Sequence, residues 1–214
     1  MNMNIIHFST WRKELLSDLE TIVGALRLLF FFGLGIIVLF LIFWWDAHQS
    51  RPFVEAGPTE ILQTILLLLS TILFFLEARR RSDMRHALIL VGGLTGCMLI
   101  REQDYFLDML SHGCWKWPAL LLAFGCLSYA GRAFKDSISA LAHFIRWRYF
   151  PLFLAGIVIV LAYSRLFGIG ALWKTLLPDG EWRTAKHAIE ESSELLGYSI
   201  ILGSALLLRL EKKH

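Results

Sequence analysis

Charged residues and histidines recur at helical spacing inside an apolar stretch of this 214-residue chain. Within residues 98–112, four of them follow one another at intervals of three and four: Arg101, Asp104, Asp108 and His112. On one continuous α-helix, these intervals place all four side chains in a single narrow stripe. Carboxylates and an imidazole in such a stripe suit binding of a divalent metal ion or acid–base chemistry.

A second group of this kind lies near the carboxyl end, in residues 187–198. Its members again share one side of a helix: His187, Glu190, Glu191, Glu194 and Tyr198. Other apolar segments add three more candidates, which are Glu60, Gln63 and Arg165. Charged residues within membrane segments almost always face a bundle interior or a water-filled cavity. We therefore expect one polar cavity that opens towards the outer side of the membrane.

The elements that must position these residues are membrane helices. The chain is 56% hydrophobic and only 18% charged, with a mean hydropathy of +0.56. An ordinary soluble domain is less apolar than this. Neither the small positive net charge of +3 nor any motif points to nucleic acid. The partners we expect are membrane lipids, together with another membrane protein or further copies of this chain.

Six apolar runs are long enough to span a bilayer, which predicts an all-α bundle of six transmembrane helices. The predicted spans cover approximately residues 28–45, 59–76, 87–110, 117–134, 151–169 and 184–208. Residues 1–27 precede them and contain an amphipathic helix that we expect to lie at the membrane surface. Residues 209–214 form a short tail. An even number of spans places both termini on the same side.

The distribution of basic residues predicts the orientation of this bundle. Of the 21 Lys and Arg residues, 14 fall on the side that holds the two termini. The positive-inside rule then places the termini in the cytoplasm. The expected location is a bacterial inner membrane, crossed several times.

One interpretation of the cavity is a metal-assisted hydrolase or lipid-modifying enzyme. Side chains of His, Asp and Glu on facing helices can together bind one divalent ion, and the candidate ligands are Asp108, His112, His187, Glu191 and Glu194. A bound metal would activate water while a spare carboxylate acts as the base. The candidates for this catalytic role are Glu102, Asp104 and Glu190. The identity of the metal, and whether the protein is an enzyme, stay open.

Two other interpretations use the same residues. In a proton- or cation-coupled transporter, crowded carboxylates would bind the ion, although the cytoplasmic halves of the spans are almost entirely apolar. In a non-catalytic scaffold or accessory subunit, Arg101 would pair with Glu191 or Glu194 to fix the register of the helices. The residues we expect to have such pairing or structural roles are Glu60, Gln63, Arg101, Arg165 and Tyr198.

Three short motifs resemble those of uncharacterised bacterial multi-pass membrane proteins, in which they occur in successive spans. The motifs are Glu-x-x-Gln, Arg-Glu and Glu-Glu-x-x-Glu, and here they are Glu60 with Gln63, Arg101 with Glu102, and Glu190, Glu191 and Glu194. The resemblance covers three of the six predicted spans. It implies that the three motifs form one site, and it brings no activity with it.

The adjacent Glu190 and Glu191 also resemble the paired glutamates of the intramembrane CAAX-type prenyl proteases. Those enzymes have a Glu-Glu-x-x-x-Arg motif, and here Leu195 stands in the arginine position. They also need later histidines, whereas only His214 follows. The chain is therefore not assigned to that family.

Overall fold

The computed structural model of this chain describes residues 3–49, 57–109, 111–177, 180 and 182–211. Every regular element in these ranges is helical, which confirms the predicted all-α class. The chain forms two compact units, Met1–Leu41 and Ile42–His214.

Helix α1, Met3–Ala47, is uninterrupted. It contains both the predicted surface segment and the predicted first span. From Leu15 to Ala47 it is long and apolar enough to cross a membrane. Apolar side chains such as Leu29 and Ile37 are exposed on it, as expected for a helix surrounded by lipid.

The remaining helices belong to the second unit. They are α2 (Pro58–Arg80), α3 (Arg85–Glu102), α4 (Asp104–Asp108), α5 (Lys116–Arg132), α6 (Phe134–Arg146), α7 (Phe150–Val158), a π-helical turn (Ile159–Tyr163), α8 (Ser164–Phe167), α9 (Gly170–Leu176) and α10 (Trp182–Leu210). Helix α3 packs against α2, α5 and α6, and α10 packs against α2 and against the helices from α7 to α9. Helix α2 thus joins the two groups.

Among the described residues, four helices are long and apolar enough to cross a membrane, which makes the chain a membrane protein by length and composition. They are Leu15–Ala47, Pro58–Arg80, Phe150–Phe167 and Trp182–Leu210. Each coincides with a predicted span. The predicted third and fourth spans correspond to α3 and α5, which have 18 and 17 residues. At about 1.5 Å per residue, these two only approach the thickness of the hydrocarbon core, so six spans stay a prediction.

The predicted third span is broken. Helix α3 ends at Glu102, and Gln103 follows with φ −96° and ψ 17° before α4 begins. The side-chain amide of Gln103 donates a hydrogen bond to Thr64 Oγ1 of α2 at 2.7 Å. The continuous helix that the spacing within residues 98–112 predicts is therefore not formed, and His112 lies beyond the end of α4.

The connection between the predicted fourth and fifth spans contains a helix, α6. Its buried residues, Ser137, Ala140 and Phe144, recur at intervals of three and four, so the helix is amphipathic. The ring of Phe144 packs edge-on against that of Phe153 in α7, with 5.5 Å between centroids. The sequence analysis assigned no helix between these two predicted spans, because the charges of this segment obscure its short apolar period.

Ion pairs join the carboxyl ends of α2 and α10. Glu77 is buried and accepts hydrogen bonds from Arg209 Nη1 at 2.7 Å and Arg81 Nε at 3.4 Å. Arg81 Nη2 also donates to the backbone oxygens of Leu208 and Glu211, at 2.7 and 2.9 Å. A guanidinium that satisfies the last carbonyls of a helix stabilises its carboxyl end. These contacts therefore fasten the two helices at this end.

Two glycines allow α7 and α10 to approach closely. A Cβ atom on Gly156 would lie 3.0 Å from the carbonyl oxygen of Gly197, and one on Gly197 would overlap the side chain of Val160. Close contacts between small residues are the usual basis of helix packing in membranes. This contact holds the segment that leads to α8 against the carboxylate-bearing helix α10.

We expect Gly197→Ala to lower the thermal unfolding midpoint of the purified protein, because the added methyl group overpacks the α7–α10 contact by about 1–3 kcal/mol. The matched control is Gly125→Ala in α5, where a Cβ atom meets nothing within 4 Å. Its midpoint should be unchanged or slightly higher. The measurement is circular dichroism during heating in detergent micelles. Equal midpoints for the two variants would contradict the close contact.

Candidate functional site

A cavity of about 720 Å³ lies among the amino-terminal parts of α2 and α10, the carboxyl end of α3, and helices α4 and α8. Its walls are polar or charged throughout, and the lining residues are Glu60, Arg101, Glu102, Asp104, Tyr105, Arg165, Lys186, His187, Glu190, Glu191 and Glu194. Most of the predicted site residues are among them. We call this space the polar cavity.

Glu194 is the residue at which three helices meet. Its side chain is buried, with only 4% of the residue exposed. One oxygen, Oε1, accepts hydrogen bonds from Arg165 Nη2 at 2.5 Å and Ser164 Oγ at 3.0 Å, both in α8, and from Arg101 Nη2 of α3 at 3.4 Å. The sequence analysis gave Glu191 and Glu194 as alternative partners of Arg101, and in the structure Arg101 pairs with Glu194.

Glu102 provides a second link between α3 and α10. Its Oε1 accepts a hydrogen bond from Arg101 Nη2 at 2.6 Å and another from Tyr198 Oη at 2.7 Å. Tyr198 is fully buried. Arg101 therefore lies between two carboxylates, Glu102 and Glu194. We call this connected group the ionic cluster; it comprises Arg101, Glu102, Ser164, Arg165, Glu194 and Tyr198.

Glu191 has a different environment, although it is one helical turn from Glu194. Its Oε2 and its backbone oxygen accept hydrogen bonds from Nε2 of the fully buried Gln63, at 2.9 and 3.1 Å. Gln63 is neutral, and within the described ranges Glu191 makes no ion pair. Glu60, Glu102 and Glu194 all lie within electrostatic range of it. Acidic side chains are therefore concentrated around Glu191.

Glu190 lies on another part of the wall. Its Oε2 is 3.0 Å from Lys186 Nζ and 3.9 Å from His187 Nδ1. The carboxylate occupies space beside Gly168, where a Cβ atom would overlap it. The sequence analysis missed both Lys186 and Gly168. The i,i+4 spacing of Lys186 and Glu190 could have indicated the first, whereas nothing in the local sequence marks the second.

Two predicted metal ligands do not line the polar cavity. Asp108 Oδ2 lies 3.2 Å from His112 Nδ1, and Asp108 Oδ1 accepts a hydrogen bond from the backbone N–H of Gly113 at 2.8 Å. The His112 side chain is fully exposed. The other predicted ligands, His187, Glu191 and Glu194, do line the cavity.

The arrangement does not fit a metal centre. Throughout the part of the chain that the structure describes, no three His, Cys, Asp or Glu side chains are grouped as ligands of one ion. Within the predicted set, Glu194 is engaged by arginines and Glu191 by Gln63. These residues are therefore not assigned as ligands of a metal ion.

The walls of the polar cavity carry more acidic than basic side chains. They contribute six carboxylates and three permanent cations, Arg101, Arg165 and Lys186. Each of these cations already lies within 3.4 Å of a carboxylate oxygen from the same walls. The excess of acidic side chains favours the binding of a positively charged ligand.

No model of a known protein family, no curated protein and no solved structure matches the chain. The chemistry of the polar cavity is therefore the basis on which a function can be proposed.

A double-mutant cycle on Arg165 and Glu194 should give a coupling free energy of roughly 1–2 kcal/mol, because Glu194 is buried and its partners come from other helices. The variants are Arg165→Ala, Glu194→Ala and the pair, compared by unfolding in detergent micelles. The control cycle uses Lys186 and Glu190, an i,i+4 pair expected to couple by only about 0.3–0.5 kcal/mol. Equal coupling in the two cycles would show that the ionic cluster does not join the helices.

Proposed function

We propose that this protein is a multi-pass membrane protein whose polar cavity binds an organic cation, such as a small amine or the amine headgroup of a lipid. The observation that carries the proposal is the environment of Glu191. Its carboxylate contacts a neutral amide, lies near other carboxylates and borders the cavity. A ligand ammonium group would supply the positive charge that this position lacks.

The size of the cavity favours an organic cation over a bare ion. Sites for small molecules usually have volumes of about 300–1,000 Å³, and the polar cavity has about 720 Å³. An inorganic cation needs a compact cage of several oxygen ligands instead. The amine would donate hydrogen bonds to Glu191, while Glu60 and Asp104 add attractive charge.

The ionic cluster supports this ligand by holding the walls in place. Glu194 and Glu102 accept from Arg101, and Glu194 also accepts from Arg165. These arginines therefore do not compete with the ligand for Glu191. In this assignment the cluster has the pairing role that the scaffold interpretation predicts, and Glu191 has the recognition role.

In the membrane, we propose six spans with cytoplasmic termini and the polar cavity on the outer side of a bacterial inner membrane. Helix α3 packs beside the candidate span α2, and α5 packs beside α3; the two would complete the bundle. The excess of Lys and Arg on the side of the termini supports this orientation. A reporter that is active only in the cytoplasm, fused after residue 214, tests it.

A second candidate function is acid–base catalysis on the bound ligand, in a hydrolytic or lipid-modifying reaction. The observation that favours it is the position of Glu190, which lines the cavity together with Lys186 and His187. A carboxylate so placed can accept or deliver a proton next to a ligand held at Glu191. Incubation of the protein with membrane lipids, followed by mass spectrometry, would reveal a product that Glu190→Gln fails to make.

We expect the wild-type protein to bind ethanolamine, and Glu191→Gln to bind it roughly 10- to 100-fold more weakly, because one charge-assisted hydrogen bond is lost. Isothermal titration calorimetry on protein in detergent micelles measures this. Ethylene glycol, which has a similar size but no charge, should not bind measurably.

The matched control is Asp83→Asn, which removes one carboxylate charge from the connection between α2 and α3, outside the polar cavity. Its affinity for ethanolamine should equal that of the wild type. The proposal is wrong if ethanolamine does not bind, or if both variants weaken binding to the same extent.

A further inference from the structure

A second cavity, of about 420 Å³, lies among α2, α3 and α5. Its lining residues are Phe75, Ala78, Arg79, Arg85, Ile89 and Tyr129. Apart from Tyr129 of α5, they come from the carboxyl end of α2 and the amino end of α3, whereas the polar cavity uses the other ends of these helices. No lining residue is a carboxylate. The arginines make part of the lining basic, and Phe75, Ala78 and Ile89 make another part apolar. We call this space the basic cavity.

The arginines near the basic cavity fall into two groups. Those in the first group are neutralised by Glu77 or Glu211 at distances of 2.7–3.4 Å, and they are Arg80, Arg81 and Arg209. The second group is Arg79 and Arg85, and within the described ranges neither forms an ion pair. Both of these line the basic cavity.

The guanidinium of Arg85 is only partly engaged by the protein. Its Nε donates a hydrogen bond to the backbone oxygen of Ala78 at 3.3 Å, which positions the side chain across the α2–α3 connection. Arg79 comes from the last turn of α2 and also lines the cavity. Two arginines gathered in one cavity without a carboxylate create a positive site that an anion would neutralise.

We propose that the basic cavity binds the headgroup of an anionic phospholipid. The phosphate would lie between Arg79 and Arg85, since guanidinium groups match the geometry of phosphate oxygens. The Tyr129 hydroxyl is a further donor on the wall. An anionic lipid surface also attracts basic residues at membrane boundaries.

The apolar wall favours a lipid over free phosphate. Phe75 and Ile89 line the cavity next to the arginines, and Phe75 belongs to a helix that is apolar enough to cross a membrane. The Phe75 ring also packs on Gly92, where a Cβ atom would lie 3.2 Å from it. Acyl chains would cover this apolar wall, whereas free phosphate would leave it exposed. This site does not depend on the ligand proposed for the polar cavity.

The test is native mass spectrometry of the full-length protein titrated with phosphatidylglycerol. The double variant Arg79→Gln/Arg85→Gln should bind the first phosphatidylglycerol molecule roughly 30-fold more weakly than the wild type, through loss of two arginine–lipid interactions. Phosphatidylcholine should bind the wild type and the double variant equally weakly. The matched control is Arg132→Gln, an exposed arginine at the carboxyl end of α5 that does not line the cavity.

A second variant keeps every charge and fills the space. Ile89→Trp should reduce the binding of phosphatidylglycerol while Arg79 and Arg85 remain in place. Inorganic phosphate, added in excess, should fail to displace the lipid. The proposal is overturned if Arg132→Gln weakens binding as much as the double variant, if Ile89→Trp leaves binding unchanged, or if inorganic phosphate displaces the lipid.

Discussion

A carboxylate buried among membrane helices is stable only where donors and opposite charge surround it. Glu194 meets this requirement with donors from two other helices, Arg101 on α3 and Ser164 with Arg165 on α8. Because movement of either helix would remove a donor from this buried carboxylate, the pairing holds both of them against α10. The close glycine contact between α7 and α10 serves the same arrangement, since it brings the segment that ends in α8 within reach of Glu194.

The same pairing decides the character of the polar cavity. The chain as a whole has a net charge of +3, yet the cavity walls carry more acidic than basic side chains. The arginines on these walls are directed to Glu194 and Glu102. Glu191, one turn along α10, contacts only a neutral amide among the side chains described. Helix α10 thus carries a structural carboxylate, Glu194, and a second one, Glu191, that is available to bind a ligand.

At the opposite ends of the helices, carboxylates again pair with arginines, but here the arginines are in excess. Glu77 and Glu211 neutralise some of the arginines where α2 and α10 end, and the arginines of the basic cavity are left over. The chain therefore has an acidic cavity near one end of α2 and a basic one near the other. This separation agrees with the unequal distribution of Lys and Arg along the sequence.

The sequence by itself predicted the helical class, the apolar segments that form the four membrane-length helices among the described residues, and most of the residues that line the polar cavity. These follow from local properties, namely apolar run length and the three- and four-residue spacing of side chains on α10. It did not predict the break at Gln103, because the hydrogen bond to Thr64 that accompanies the break comes from another helix. For the same reason spacing alone could not separate His112, which lies beyond α4, from the cavity residues.

The choice of partners was decided only by the tertiary structure. Spacing shows that Glu191 and Glu194 lie on similar faces of α10, and either could have paired with Arg101. Which of them does so depends on the position of α3 relative to α10, which brings Arg101 to Glu194 and Glu102 to Tyr198. Nothing local in the sequence encodes the separation of two helices, so the division between a structural Glu194 and an available Glu191 required the packed bundle.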